Sequence, residues 1–175
     1  FVRQEELPHL NPNIGAINTW ISNQLEGNDG LPGRSDLYTY IPFYIYRLLN
    51  AGGQMGLILS NAWMGTSYGQ AFISLMRCFF DIKRVLISGS GKWFENADVV
   101  TSIIIAEKRS DPSTTYSDSD ISFHTLSAKL VDVEDPSQLS DNILLNRSND
   151  DVTTVTHTTN QIEEFRELGF PWSSF

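Results

Sequence analysis

The sequence predicts an α/β protein, because strand-like segments rich in apolar residues alternate with segments that have helical spacing. The runs MGLIL, IKRVLI and VVTSIIIA begin at residues 55, 82 and 99, and each is typical of a strand buried in a sheet. Helices that connect such strands bury their apolar sides on the sheet. We therefore expect helices on both faces of the sheet and an interior position for the strand at residues 55–59.

Two helices accompany the first strand. In the helix before it, Leu37, Ile41 and Leu48 recur at helical spacing, which is more typical of a core stripe than of a ligand site. Pro42 has no amide hydrogen and crowds the preceding turn, so the helix is expected to kink there or to begin late. The helix after the strand is expected at residues 67–80.

The second and third strands, at residues 82–87 and 99–106, are separated by few residues and no helix. A parallel return would need a connection of a dozen or more residues, usually a helix. The two strands are therefore predicted to be antiparallel. The connection contains a glycine-rich SGSG turn, which lacks the spacing of a phosphate-binding loop.

The rest of the chain alternates less regularly. An exposed loop is expected at residues 109–120, strands at 121–133 and 152–158, and helices at 136–145 and 160–168. We accordingly divide the chain into residues 1–110 and an α+β extension at residues 111–175.

Composition excludes several classes of function. A net charge of −9 and a pI near 4.6 argue against this chain as the main grip on a nucleic-acid backbone. Cys78 lies in an apolar helical run and is expected to be a buried structural thiol, and the three histidines have no metal-ligand spacing. No run of about 20 apolar residues could span a bilayer, and no signal peptide is evident, so a cytoplasmic protein without a membrane partner is expected.

Asn61 is the first candidate for a functional side chain. It follows the buried strand at 55–59, and ligands of open α/β sheets bind at the carboxyl ends of the strands. The alternative, in which Asn61 caps the helix that follows, is equally consistent with the sequence.

Three stretches in order carry a resemblance to a known family: DLYTYIPFYIYRLLNAGGQMGLILSNAW, IKRVLIS and WFENADVVTSIIIAEK. They resemble the second half of the catalytic domain of adenine-specific N6 DNA methyltransferases, above all the large restriction-modification methylases. In that family an Asn-Pro-Pro-aromatic tetrad precedes a segment similar to FVRQEEL, so Phe1 looks like the aromatic residue of the tetrad. The likeness is good over residues 1–108 and looser to the end, where a target-recognition domain usually follows, and the chain is expected to be a fragment.

The resemblance implies a Rossmann-like S-adenosylmethionine-dependent methyltransferase fold, of which this chain would hold the second half. Residues 55–60 would be the fifth strand, 82–87 the sixth, and 99–106 an antiparallel seventh strand inserted between them. That arrangement agrees with the hairpin derived from loop length.

The resemblance also implies site residues. Leu37 and Ile41 match a region that lines the adenine pocket of the methyl donor, and Phe94 matches an aromatic position that holds the target base. The target adenine must leave the duplex at a cost of about a few kcal/mol, and stacking on Phe1 and Phe94 would recover on the order of 1–3 kcal/mol per base. Phe94 as an ordinary hydrophobic anchor and Phe1 as a poorly ordered terminal residue are the alternatives.

The implied function is methyl transfer from S-adenosylmethionine to adenine N6 in double-stranded DNA, in restriction-modification or phage defence. The glycine-rich donor-binding segment, the acidic residue after the second strand and the Asn-Pro-Pro are not among these residues, so the fragment alone is expected to be inactive. Without its first four strands the sheet would have an unpaired apolar edge, and self-association of the fragment is expected.

Two alternatives to this function remain open. One is a non-catalytic DNA-binding scaffold or specificity subunit that keeps the methyltransferase fold. The other is a nicotinamide-dependent Rossmann-like enzyme, which the missing G-x-G-x-x-G fingerprint disfavours. An all-parallel sheet would favour the second alternative, and an antiparallel strand between two parallel neighbours would favour the methyltransferase.

Overall fold

The computed structural model describes residues 13–33, 35–94, 98–127 and 129–175. Phe1 therefore lies outside the described residues, and its predicted role is untested. Within the described ranges the α-helices are α1 (Asn13–Gln24), α2 (Ile41–Leu48), α3 (Ser67–Phe79), α4 (Pro136–Leu144) and α5 (Thr159–Glu167). The strands are β1 (Gln54–Ser60), β2 (Phe80–Ser88), β3 (Thr101–Lys108), β4 (Ile121–Leu126) and β5 (Val152–His157). Short 3-10 turns lie at Leu37–Tyr40, Asn61–Met64, Leu130–Asp132 and Trp172–Ser174.

The strands form one mixed sheet with the order β1-β3-β2-β4-β5. β3 is antiparallel to both β1 and β2, so β1 and β2 run parallel to each other on either side of it. β4 is parallel to β2, and β5 is antiparallel to β4. The predicted antiparallel pairing of the second and third strands is confirmed, as is the α/β class.

Helices α1, α2, α3 and α5 cover one face of the sheet, which we call the first face. Their apolar side chains form one buried cluster with alternate residues of β1 to β4. The cluster is rich in aromatic residues: Phe79 of α3 lies edge to face with Phe43 and Tyr46, at centroid distances of 5.2 and 5.1 Å. Such pairs contribute about 0.5–1.5 kcal/mol beyond their buried area.

The opposite face, the second face, is covered only over part of its width. Leu139 and Ile143 of α4 pack there against Leu86, Leu126 and Val152. No described helix packs over β1 on this side, and Ile58 of β1 is 56% exposed. The expectation of an interior strand at 55–59 is wrong for the described structure, because β1 is the edge strand and its burial alternates between the two faces.

Local signals placed most elements within a few residues. Pro42 lies in the first turn of α2, which begins at Ile41 after a 3-10 turn, so the predicted late start is confirmed. The strand expected at 121–133 ends at Leu126 and gives way to the turn Leu130–Asp132. The division of the chain after residue 110 stays a prediction, although β4 and β5 continue the same sheet as the strands before it.

Two further observations bear on the excluded functions. Cys78 is buried and donates to the carbonyl of Ser74, and burial raises the pKa of its thiol, so the prediction of a structural thiol is confirmed. None of the helices in the described ranges is both long and apolar enough to cross a bilayer.

Candidate functional site at the carboxyl edge of the sheet

β1, β2 and β4 are parallel and end at the same edge of the sheet, which we call the carboxyl edge. Backbone hydrogen bonds tie the loops of this edge together. The amide of Asn61, just past β1, donates to the carbonyl of Val100 at 2.9 Å. The amide of Gly89, just past β2, donates to the carbonyl of Leu126 at 2.8 Å. These hydrogen bonds hold the loops of the carboxyl edge together. Ligands of open α/β sheets bind at this edge, so its loops are candidates for a functional site.

Asn61 lies at this edge, but it is not a helix cap. Ser60 caps the turn Asn61–Met64 by accepting from the amide of Ala62, and Thr66 caps α3 by accepting from the amide of Gly69. The alternative that made Asn61 a capping residue is therefore wrong. Its side chain makes no hydrogen bond within the described parts of the chain and remains available to a ligand, so its functional role stays a prediction.

Phe94 lines an open cleft of about 480 Å³ at the carboxyl edge. The neighbouring Trp93 is 4% exposed and packs into the cluster of the second face, whereas Phe94 is 44% exposed. The buried indole anchors the loop, and the next side chain presents its ring to solvent. An exposed ring on an anchored loop is the arrangement that a stacking platform requires.

A second segment of the chain that lines this cleft was missed by sequence reasoning. Lys129, Val131 and Asp132, which follow β4, line the cleft, and Ser90 and Lys92 line it from the same loop as Phe94. No sequence motif marked these residues, because the turn was expected to be a continuation of the strand.

Leu37 begins the 3-10 turn Leu37–Tyr40, and Ile41 is the first residue of α2. Tyr68 of α3 donates to a carboxylate oxygen of Asp36 at 2.8 Å, and its hydroxyl lies 3.0 Å from that of Tyr38. This chain of hydrogen bonds holds the turn Leu37–Tyr40 against α3. Burial raises the pKa of both tyrosine hydroxyls, so both stay protonated and act as donors.

The predicted site residues are only partly brought together. Leu37 is half-buried against the core, whereas Ile41 is exposed and offers an apolar surface. Among the described residues, the lining of the cleft at Phe94 includes neither Asn61 nor Leu37 nor Ile41. No group of three or more potential metal ligands was found in the described ranges.

Three solved structures share this fold. The type IIG restriction endonuclease BpuSI matches with a TM-score of 0.64 and 14% identity, over 93% of this chain and 19% of that chain. A structure of a type I restriction-modification system matches with a TM-score of 0.53 and 14% identity, over 84% and 34%. A modification subunit of a putative type I restriction enzyme from Vibrio vulnificus YJ016 matches with a TM-score of 0.51 and 12% identity, over 75% and 31%.

This chain is similar in fold to part of each of these three restriction-modification proteins. The chain spans about a fifth to a third of the length of these three structures. At 12–14% identity the likeness establishes the fold and no more. No protein-family model and no curated protein matches the sequence.

Proposed function

We propose that this chain is the second half of the catalytic domain of an adenine-N6 DNA methyltransferase of a restriction-modification or phage-defence system. The observation that carries the proposal is β3, which lies antiparallel between the parallel strands β1 and β2. In the proposal, β1 corresponds to the fifth strand of the methyltransferase sheet, β2 to the sixth and β3 to the seventh. The fold shared with the type IIG restriction endonuclease BpuSI over 93% of this chain supports it.

The same sheet argues against the nicotinamide-dependent alternative. An all-parallel sheet would favour that alternative, but β3 is antiparallel to both of its neighbours. The non-catalytic scaffold keeps the same fold as the methyltransferase, so the sheet does not separate it from the leading proposal. A functional measurement has to do so.

Phe94 would act in the proposed reaction by holding the target base. An adenine amino group cannot be reached inside a duplex, so the base must swing out into a pocket. The 44% exposed ring of Phe94, at the carboxyl edge, is available to stack on that base. Stacking contributes on the order of 1–3 kcal/mol per base, and the catalytic benefit is the positioning of the amino group toward the methyl donor.

S-adenosylmethionine is the proposed methyl donor, and it supplies a sulfonium methyl group. The residues described here fit only a small part of its site. Ile41 offers an exposed apolar side chain, and Leu37 is fixed close to it by the hydrogen bonds of Asp36 and Tyr38 to Tyr68. In the proposal these two side chains form one wall of the adenine pocket, and the remainder belongs to the other half of the catalytic domain. The 175 residues alone would then not transfer methyl groups.

The test is transfer of labelled methyl groups from S-adenosylmethionine to unmethylated DNA by the full-length polypeptide that contains this chain. We compare it with a Phe94→Ala variant and with a Phe170→Ala control. Phe170 is 47% exposed, close to the exposure of Phe94, but it lines clefts formed by α3, α5 and the C-terminal turn. Loss of about 1–3 kcal/mol of stacking predicts a fall in transfer of about tenfold or more for Phe94→Ala alone.

The position of the methyl group decides the specificity. Digestion of the DNA to nucleosides should yield labelled N6-methyl-2′-deoxyadenosine, and label in deoxycytidine would refute adenine specificity. A folded full-length polypeptide that binds DNA without transferring methyl groups would favour the non-catalytic scaffold. Equal losses in the Phe94→Ala and Phe170→Ala variants would refute the stacking role of Phe94.

A further inference from the structure

We propose that Lys129, assisted by Lys92, binds a backbone phosphate of the DNA strand next to the base that stacks on Phe94. The inference rests on the proposed function and assigns a nucleic-acid contact to the extension after β4. The two lysines come from different segments of the chain and line the same cleft as Phe94. The cleft thus combines an exposed aromatic ring with cations, which is the pairing that nucleotide recognition uses.

The turn that carries Lys129 is held in place by packing. Leu130 and Val133 pack against the cluster of the second face, which contains Trp93 and Leu126. Trp93 is also the anchor of the loop that presents Phe94. One buried cluster therefore holds both segments that line the cleft, so the backbone at Lys129 stays close to the loop of Phe94 although the two are far apart in sequence.

The charges of the cleft leave Lys129 free to bind an anion. Lys129 is exposed and forms no ion pair with any residue in the described parts of the chain. Lys92 pairs with Asp98 at 2.7 Å, but the Asp98 side chain is fully exposed. An exposed pair of this kind contributes about 0–1 kcal/mol, so a phosphate can replace the carboxylate at little cost. Asp132 is the opposing charge in the lining.

Several other basic residues are already engaged within the fold. Arg84 donates to the carbonyls of Ile143 and Leu144, and Lys108 donates to the carbonyl of Leu49. Lys129 and Lys92 instead flank an exposed aromatic ring. The net charge of the chain is −9, so its surface as a whole does not attract a polyanion such as DNA. The two lysines beside the exposed ring favour a local contact with DNA at this cleft.

The experiment measures how salt weakens DNA binding by the full-length polypeptide. The probe is a labelled duplex of mixed sequence with one unpaired adenine, since an unpaired base costs least to extrude. We compare Lys129→Gln with Lys83→Gln, which removes the same charge from the first half of β2, outside the lining of the cleft. A third variant, Asp132→Asn, removes the opposing carboxylate from the cleft.

One lost phosphate contact lowers the slope of log affinity against log salt by about 0.9. When salt rises from about 50 to about 200 mM, the fold-loss of affinity should therefore be about three times smaller for Lys129→Gln than for the unmodified protein. Lys83→Gln should lose as much affinity as the unmodified protein. Asp132→Asn is expected to bind more tightly than the unmodified protein at low salt. Circular dichroism of each variant verifies that the fold is intact.

The outcomes separate this inference from the proposed function. Identical salt slopes for Lys129→Gln and Lys83→Gln would overturn the phosphate site, even if methyl transfer and its dependence on Phe94 are found. A reduced slope for Lys129→Gln in a protein that transfers no methyl group would support the phosphate site and reject the methyltransferase.

Discussion

Acid is expected to destabilise the fold by about 3 kcal/mol through one buried histidine, His124 of β4. The imidazole is fully buried between β2 and β5, with Nδ1 at 2.9 Å from the hydroxyl of Thr154. Its Nε2 has no hydrogen-bond partner in the described parts of the chain. Burial, and secondarily the positive charge of Arg84, lower the pKa of His124 from 6.5 to about 4.

The direction of the effect follows from this lowered pKa. Above pH 6.5 the imidazole is neutral in both the folded and the unfolded chain, and its contribution to stability is complete. As the pH falls below 6.5 the unfolded chain binds a proton that the folded chain does not bind until about pH 4. At about 1.4 kcal/mol for each pH unit, the difference amounts to about 3 kcal/mol, lost between pH 6.5 and pH 4.

Urea unfolding followed by tryptophan fluorescence measures this loss, because Trp63 and Trp172 are buried in the folded chain. The free energy of unfolding is determined at several pH values from about 7.5 to about 4.5 for the unmodified chain and for His124→Asn. The variant is expected to be less stable at neutral pH and to depend less on pH. His157→Asn is the control: burial lowers the pKa of His157 too, but its ring is only half-buried.

The reasoning about His124 would be refuted by parallel pH profiles of the unmodified chain and His124→Asn. An NMR titration that finds the ring protons of His124 shifting near pH 6.5 in the folded chain would refute it equally. The difference between the two chains matters more than either profile, because acid also protonates carboxylates in both.

Two further predictions concern the core and the sheet edge. Gly69→Ala is expected to destabilise the fold by about 3 kcal/mol or more in urea unfolding, because the added Cβ would lie 1.7 Å from the carbonyl oxygen of Trp63. The control is Gly15→Ala, whose Cβ would meet nothing within 4 Å and should stabilise the helix by about 0.5–1 kcal/mol. A Gly69→Ala variant as stable as the unmodified chain would contradict this packing. The 175-residue chain is expected to self-associate through β1, which is an edge strand without charged residues. In light scattering, Ile58→Lys should lower the mass of the particles, whereas Leu48→Lys, at another exposed apolar position, should not. A monomer at all concentrations would refute the prediction.

The sequence alone predicted local structure well where a local rule applied. The short connection between β2 and β3 predicted their antiparallel pairing, because a parallel return has no room in it. The apolar run around Cys78 predicted a buried thiol, and Pro42 predicted the start of α2. Each of these conclusions depends on neighbouring residues only.

Sequence reasoning failed where the answer depended on distant residues. The apolar run of β1 was interpreted as an interior strand, since continuous hydrophobicity is typical of strands covered on both faces. In the described structure β1 is the edge strand, and Ile58 is exposed because no described helix lies over it. An apolar run reports the tendency of a segment to be buried, but only the arrangement of the other elements decides whether it is covered.

The candidate site divides in the same way. The exposed aromatic residue Phe94 and the position of Asn61 past β1 were both identified from the sequence, the former by resemblance and the latter by the strand-end rule. The second segment that lines the cleft, which contains Lys129, was not identified from the sequence. The turn after β4 is brought close to Phe94 by a shared buried cluster, and such packing leaves no periodic signal in the sequence. The sequence by itself determined most of the helices and strands and the end of β1, but not the end of β4 or the turn that follows it. Only the tertiary structure decided which loops meet at the carboxyl edge, because that depends on long-range strand pairing and on the packing of Trp93.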